Sequence, residues 1–255
     1  MRRIMLVVAY DGTNYCGWQV QPNGMTVQET LNRALSELCG SSIQTIGASR
    51  TDAGVHAKGN VAVFDTEMRM PADRFCYALN TRLPEDIKVQ ASREVPLRFH
   101  PRYTSTVKTY EYRILNRKLP DPTRRLDTLF VYSDLNLAAM QEAAECVIGE
   151  HDFRSFQASG ASAEKSTVRR IYSSEIRKEG ELLTFRIVGN GFLYNMVRIL
   201  AGTILEIGRG NLPSGSMRRI LEARNRAAAG PTAPAHGLTL IGIRYPEWEK
   251  LWAEK

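Results

Sequence analysis

Short apolar runs and segments of helical spacing follow one another along the first hundred residues. The run IMLVVAY predicts a strand, and VQETLNRALSELC carries its apolar residues on one face of a helix. Thr26 followed by Glu29 is a capping-box pattern, which predicts where that helix begins. The predicted order is βαββαβ, with strand 4–9, helix 27–39, strands 42–49 and 60–66, a helix from Pro71 and a strand at 87–95.

A similar succession of patterns recurs in the second part of the chain. The predicted elements are a strand at 106–115, a helix at 135–147, strands at 168–178 and 182–189, helices at 191–207 and 214–225, and a strand at 238–245. The small polar residues at 157–167 predict a mobile loop. Two copies of a split βαβ plan indicate an α+β protein.

We therefore predict two ferredoxin-like halves, an N-terminal half at residues 1–105 and a C-terminal half at residues 106–255. The halves are expected to share a mixed, mainly antiparallel sheet with helices packed on one face. Edge-to-edge pairing of the halves would form a cleft at their junction, and a functional site is expected there.

Composition adds a constraint on partners. The 255 residues are 43% hydrophobic and 24% charged, which is typical of a globular protein. The net charge of +7 and the isoelectric point near 9.3 make a polyanion such as nucleic acid a plausible partner. Four cysteines and four histidines show no metal-ligand spacing, and no apolar run approaches a membrane span. These features predict a cytosolic protein without a metal.

The loop SRTDAGVHA, residues 49–57, carries more polar chemistry than a chain reversal needs. Asp52 stands among small or apolar neighbours, with Arg50 before it and His56 after it. One interpretation is an ordinary turn in which Asp52 accepts main-chain hydrogen bonds. The other is a functional carboxylate whose pKa desolvation would raise unless a cation keeps it ionised. Arg50 could provide that charge or could face a phosphate.

A second unusual pattern is the segment GFLYNMVRILAGTILEIG. Arg198 is its only charged residue between Gly191 and Leu205, and a buried arginine requires an anion. Tyr194 and Gly202, four residues away on either side, provide none, so no partner within the helix is expected. We hypothesise that Arg198 pairs with Asp52 across the junction. The alternative is that Arg198 extends along its apolar stem to solvent.

Tyr110 and Tyr112 lie on one face of the predicted strand 106–115, because strand side chains alternate. Both could be core aromatics. Alternatively one ring stacks on an unpaired base, with Lys108 and Arg113 binding backbone phosphates. The chain contains no phosphate-binding glycine loop or nucleotide fingerprint, so no cofactor is expected.

The stretch GASRTDAGVHAKGNVAVF closely resembles the catalytic motif of the tRNA pseudouridine synthase A family. Further matches are YDGTNYCGWQVQPNGMTVQETL, LRFHPRYTSTVKTYEYRI, EHDFRSF, STVRRI, GNGFLYNMVRILAGTILEIGRG and TAPAHGLTLIGIRY, which together span most of the chain. Ser49, Asn60 and Pro101 depart from the family pattern, where Gly, Gln and Ala are common.

The resemblance implies isomerisation of uridine to pseudouridine at positions 38, 39 and 40 of tRNA, without a cofactor. It implies that Asp52 is the catalytic aspartate, that Tyr110 stacks on the target uracil and that Arg198 pairs with Asp52. It also implies a homodimer in which one tRNA contacts both subunits. Arg50 and Lys108 are then expected to contact the substrate.

Two other functions fit parts of the pattern. Split βαβ units also serve as catalytically silent RNA-binding platforms, which would have no need for an acid paired with a base. A nucleoside hydrolase would use two carboxylates, and the motif has only one. Asp52 and Arg198 therefore favour an RNA-modifying enzyme.

Overall fold

The computed structural model describes residues 1–160 and 166–253, with side chains given through residue 249. Residues 161–165, the middle of the predicted loop 157–167, lie outside the described residues. None of the helices in the described part of the chain combines the length and hydropathy that a membrane crossing needs.

The N-terminal elements follow the predicted order βαββαβ. They are β1 (Arg2–Tyr10), α1 (Val27–Cys39), β2 (Ile46–Gly47), β3 (His56–Thr66), α2 (Phe75–Asn80) and β4 (Ile87–Val95). Strand β1 pairs antiparallel with β3 on one side and with β4 on the other, and β2 pairs antiparallel with β3. Thr26 caps α1, because its side chain accepts a hydrogen bond from the Glu29 amide at 3.2 Å.

Both faces of strands β1 and β3 are largely buried. On one face Phe64 of β3 packs edge-on against Phe75 of α2, with ring centroids 5.5 Å apart. On the other, Met5 and Val63 join a core cluster with Tyr245 near the C-terminus. Strands β1 and β3 therefore contain the apolar runs IMLVVA and VAVF, whereas β4 leaves Gln90, Arg93 and Glu94 exposed.

Strand β2 is much shorter than the predicted strand 42–49. Only Ile46 and Gly47 pair in register with β3, and the Ala48 amide adds one bond to the Val61 carbonyl at 2.7 Å. At Ser49 the main-chain partner is replaced by the side chain of Asn60. A side chain therefore ends the ladder where the loop at residues 49–57 begins.

The remaining elements are β5 (Val107–Asn116), β6 (Leu129–Val131), α3 (Leu137–Glu145), β7 (Gly149–Asp152), β8 (Val168–Glu179), β9 (Leu182–Gly189), α4 (Met196–Gly208), α5 (Ser216–Ala223), β10 (Leu238–Arg244) and α6 (Pro246–Ala253). Strand β5 pairs antiparallel with β9 and parallel with β6, and β8 pairs antiparallel with β9 and β7. The predicted α+β class with mixed, mainly antiparallel pairing is confirmed. Strands β6 and β7, of 3 and 4 residues, are too short for a clear alternation, and neither they nor helix α6 were predicted.

The chain forms two units, one of residues 1–106 and 240–255 and one of residues 107–239. The predicted boundary between residues 105 and 106 lies one residue before the observed one. The prediction also assigned residues 240–255 to the C-terminal half, whereas they belong to the first unit. That segment belongs to the first unit because Tyr245 and Trp248 pack edge-on against Phe99, with centroids 5.0 and 5.2 Å away. The shared sheet and the cleft stay predictions.

Helix α4 of the second unit is approached closely by the segment 230–233. A Cβ added at Gly202 would lie 1.9 Å from the Pro231 carbonyl oxygen, so only glycine allows this contact. The Gly230 amide donates to the Thr203 hydroxyl at 2.9 Å, and the Ala233 amide donates to the Arg198 carbonyl at 3.1 Å. The segment is thereby held along the helix that carries Arg198.

We expect Gly202→Ala to lower the free energy of unfolding by about 1–3 kcal/mol or more, because main-chain atoms must move to admit the methyl group. Gly242→Ala is the control, since a Cβ there meets nothing within 4 Å. Urea unfolding of both variants measures the difference. Equal stability would show that the segment is not held against the helix as described.

Candidate active site

The loop at residues 49–57 closes in a tight turn that begins at Asp52. The Val55 amide donates to the Asp52 carbonyl at 3.1 Å, and Gly54 has φ +76°. A turn with positive φ at its third residue favours glycine there. Asp52 thus opens this turn through its main-chain carbonyl, and its side chain is half-buried.

Residues 12–18 enclose this turn from one side. The Trp18 amide donates to the Thr51 carbonyl at 3.0 Å, and the Gly54 amide reaches the Tyr15 carbonyl at 3.4 Å. A Cβ at Gly17 would lie 2.7 Å from the Thr51 carbonyl oxygen. The main chain on both sides of Asp52 is therefore bonded to a second segment that packs closely against it.

Asn60 holds the other end of the loop from within the sheet. Its side chain is fully buried, and it accepts from the Ser49 amide at 3.2 Å and donates to the Ser49 carbonyl at 3.0 Å. Its oxygen also accepts from the Val61 amide at 2.9 Å, and its amide donates to the Tyr10 hydroxyl at 3.3 Å. The Tyr10 hydroxyl in turn lies 2.7 Å from the Thr51 hydroxyl.

These bonds form a continuous buried network that leads to the residue before Asp52. A side chain that satisfies both main-chain groups of another residue fixes its position as a strand partner would. Sequence reasoning gave Asn60 no role beyond a departure from the family pattern. Tyr10 and Gly17 lie in the motif YDGTNYCGWQVQPNGMTVQETL quoted above. That motif could have indicated their contact with the loop.

The other polar residues of the loop differ in exposure. Arg50 is exposed, whereas His56 is 7% exposed and its Nδ1 accepts from the Gly12 amide at 3.0 Å. This supports a structural role for His56. Arg50 remains available at the surface two residues before the acid.

In the second unit Arg198 occupies the first turn of α4, among buried apolar neighbours. Its Nε donates to the Ala233 carbonyl at 2.8 Å and its Nη1 to the side-chain oxygen of Asn195 at 2.9 Å. The expectation that the helix segment offers no partner was wrong, because Asn195, three residues earlier, was overlooked. Both acceptors are neutral, so these two bonds orient the charge without neutralising it.

Tyr112 and Arg198 are attached to the same short segment. The fully buried Tyr112 donates its hydroxyl to the Pro234 carbonyl at 2.9 Å, next to the Ala233 carbonyl that Arg198 contacts. Burial raises the pKa of Tyr112, and the positive charge of Arg198 opposes that shift. The phenol therefore stays neutral at physiological pH.

Tyr110 lies two residues earlier on β5 and is also buried, at 7% exposure. Its ring packs edge-on against Phe192, with centroids 5.2 Å apart. Lys108, half-buried, precedes it on the same face of the strand. Such burial fits a core aromatic as well as a base-stacking ring, so the stacking role stays a prediction.

Asp52 and Arg50 thus belong to the first unit, and Lys108, Tyr110 and Arg198 to the second. Pairing of Asp52 with Arg198 stays a prediction. In residues 1–160 and 166–253 no three His, Cys, Asp or Glu side chains gather as metal ligands would.

Comparison with known proteins shows which protein family the chain belongs to. The sequence model described as tRNA pseudouridine synthase matches residues 6–104 and 143–246. The chain belongs to the tRNA pseudouridine synthase family. The family converts uridine to pseudouridine in tRNA, so this synthase is an isomerase.

The synthase is similar over nearly its whole length to proteins named tRNA pseudouridine synthase A. It is 47% identical to that of Acetivibrio thermocellus over 245 residues, and 48% identical to that of Ruminiclostridium cellulolyticum over 246 residues. Each alignment covers 96% of this chain and 100% of the relative. A chain of an archaeal box H/ACA sRNP Nop10-Cbf5 complex aligns over 93% of this chain and 46% of its own, at TM-score 0.33 and 13% identity.

The network around Asn60 leads to a direct test. In Asn60→Ala the Ser49 amide and carbonyl lose their partner, at about 1–3 kcal/mol for each buried group left unsatisfied. We expect a lower unfolding free energy and a kcat that falls even where the protein remains folded. Asn80→Ala is the control, because Asn80 also bonds both main-chain groups of one residue, Val89, away from the loop.

Urea unfolding measures the stability of both variants. Their kcat is measured at a temperature at which both are folded. If both variants lose similar stability and only Asn60→Ala loses turnover, the network positions the loop. If turnover is unchanged in folded Asn60→Ala, that positioning is refuted.

Proposed function

We propose that this synthase isomerises uridines 38, 39 and 40 in the anticodon stem-loop of tRNA, with Asp52 as the reacting group. Its similarity to proteins named tRNA pseudouridine synthase A supports the reaction and the substrate. The observation that supports the role of Asp52 is the turn that it begins. Main-chain hydrogen bonds of Thr51 and Gly54 hold this turn on both sides of Asp52. We further propose that it acts in the cytoplasm as a homodimer in which one tRNA contacts both subunits.

The reaction breaks the bond from N1 to C1′ of the uridine and forms one from C5 to C1′. The proton of C5 is lost and N1 gains one, so atoms balance without a redox partner. The ionised carboxylate of Asp52 could add to the base or to C1′, or could remove a proton from the sugar. All three routes need a carboxylate held in a fixed position, which reduces the reorganisation needed during reaction.

The remaining site residues have supporting roles in this proposal. Arg198 is the cation that pairs with Asp52 and keeps it ionised. Tyr110 stacks on the displaced uracil, which offsets part of the few kcal/mol needed to unstack it. Arg50 and Lys108 bind phosphates, and such contacts position RNA without reading its sequence.

Loss of the C5 hydrogen provides the test of the reaction. With tRNA carrying 5-tritiated uridine, the wild type should release tritium, and Asp52→Ala and Asp52→Asn should release it at least about a hundredfold more slowly. Asp73→Asn, the same change at an exposed residue, is the control. Wild type that releases no tritium would refute the reaction, and unchanged Asp52 variants would refute the role of Asp52.

A separate test addresses Arg198. Arg198→Lys keeps the charge but loses the geometry that binds Ala233 and Asn195, and Arg198→Ala also loses the charge. Because a nearby cation favours an ionised carboxylate, the acid limb of the kcat profile should move to higher pH in Arg198→Ala. Arg198→Lys should show a smaller displacement and a lower kcat. Profiles that superimpose on the wild type would contradict the pairing.

A further inference from the structure

The turn at residues 99–104 presents an aromatic ring to solvent from a firmly anchored base. Phe99 is fully buried, and its carbonyl accepts from Nη1 of Arg3 at 2.8 Å. The buried Tyr245 donates its hydroxyl to the Pro101 carbonyl at 2.9 Å. Tyr103 nevertheless remains 85% exposed, more than any other described tyrosine. The fold therefore fixes the backbone around a ring that contributes little to the core.

His100 further fixes the direction of this ring. Its Nδ1 accepts from the amides of Arg102 and Tyr103, both at 3.2 Å, and its ring stacks on Tyr103 at 4.1 Å with an interplanar angle of 20°. Burial lowers the pKa of His100, and the charges of Arg102 and Arg3 lower it further. The lowered pKa favours the neutral imidazole, whose Nδ1 accepts these two hydrogen bonds. One face of Tyr103 is covered by His100, which leaves the opposite face as the stacking surface.

Two exposed arginines, Arg102 next to Tyr103 in the chain and Arg50 of the loop at residues 49–57, bring positive charge to this region. Across residues 1–160 and 166–253, no Asp or Glu forms an ion pair with Arg50 or Arg102. Burial lowers the pKa of Arg102, and the positive charge of Arg50 lowers it further, so the two charges repel one another. A bound anion would relieve that repulsion, and a phosphate accepts hydrogen bonds from guanidinium groups.

We propose that Tyr103, Arg102 and Arg50 form a subsite for one unpaired RNA nucleotide next to the target uridine. The base stacks on the open face of Tyr103, and its phosphate binds between the two guanidinium groups. Arg50 is two residues from Asp52, a reach of about 7 Å along the chain, which places this nucleotide beside the reacting one. The subsite rests on the proposed function, because it takes the same tRNA as substrate.

A flat ring flanked by arginines is the combination that binds single-stranded RNA without sequence readout. Tyr77, also exposed in the first unit, differs because Arg74 lies over its ring at 5.7 Å from the centroid. Tyr77 therefore serves as a matched control for loss of an exposed ring. Arg82, whose Nη1 bonds the Ala78 carbonyl on α2, serves as the control for loss of one charge.

We expect Tyr103→Ala to raise both KM and Kd for unmodified tRNA by about 5- to 150-fold, the range that base stacking gives, with kcat nearly unchanged. Tyr103→Phe should retain wild-type values because it keeps the ring. Tyr77→Ala should leave KM, Kd and kcat unchanged. Thermal unfolding of each variant confirms that the anchored turn remains folded.

Arg102→Ala should reduce the slope of log Kd against log salt concentration by about 1, since one phosphate contact is lost. Arg82→Ala should leave that slope unchanged. A stem-loop RNA with 2-aminopurine at each loop position in turn reports the stacking directly. Fluorescence quenching at one position beside the target should be present in the wild type and Tyr103→Phe and absent in Tyr103→Ala.

The outcomes separate this subsite from the proposed function. Wild-type turnover with an unchanged KM and Kd in Tyr103→Ala would overturn the subsite and leave the function standing. If Arg102→Ala changes the Kd for tRNA or its salt dependence and Tyr103→Ala changes neither KM nor Kd, the surface is a general polyanion site. That result also overturns the proposed subsite. Failure of the wild type to convert uridine would refute the function, while the binding measurements still test the subsite.

Discussion

The paired hydrogen bonds between Asn60 and the main chain of Ser49 are the constraint on which the loop depends. Strand β3 is rigid because it pairs with β1 along most of its length, and Asn60 transfers that rigidity to the loop through its buried amide. An ordinary ladder would have continued the sheet past Ser49. The side chain ends it instead, so the chain leaves the sheet in a defined direction and still has its polar groups satisfied. The acid that follows stands in a turn held from two sides.

In the second unit, hydrogen bonds orient the guanidinium group of Arg198 in a similar way. Arg198 emerges from an apolar helix, where an arginine with an undefined direction would be costly, and neutral oxygens of Ala233 and Asn195 orient it. The close approach at Gly202 brings the carbonyl of Ala233 within reach. Each proposed catalytic group thus depends on main-chain contacts that are distant from it in sequence.

In the proposed isomerisation, the rate comes from positioning and from charges held in place before the reaction. The buried network of Tyr10, Thr51 and Asn60 that holds the loop is consistent with this requirement. The turn around Tyr103 follows the same principle at the surface. Its main chain is anchored to Arg3 and Tyr245, so that a nucleotide binding there would meet a ring already in place.

Local pattern by itself determined most of the elements, because helical and strand periodicities reflect which face of each segment is buried. It also singled out Asp52 and Arg198 as candidate site residues, since an acid among small residues and a lone charge in an apolar helix are visible without a structure. Only the tertiary structure decided that β2 ends after Gly47 and that residues 240–255 join the first unit. It also revealed Asn60. Those outcomes depend on contacts between residues far apart in sequence, such as Tyr245 with Pro101, and no local pattern encodes them.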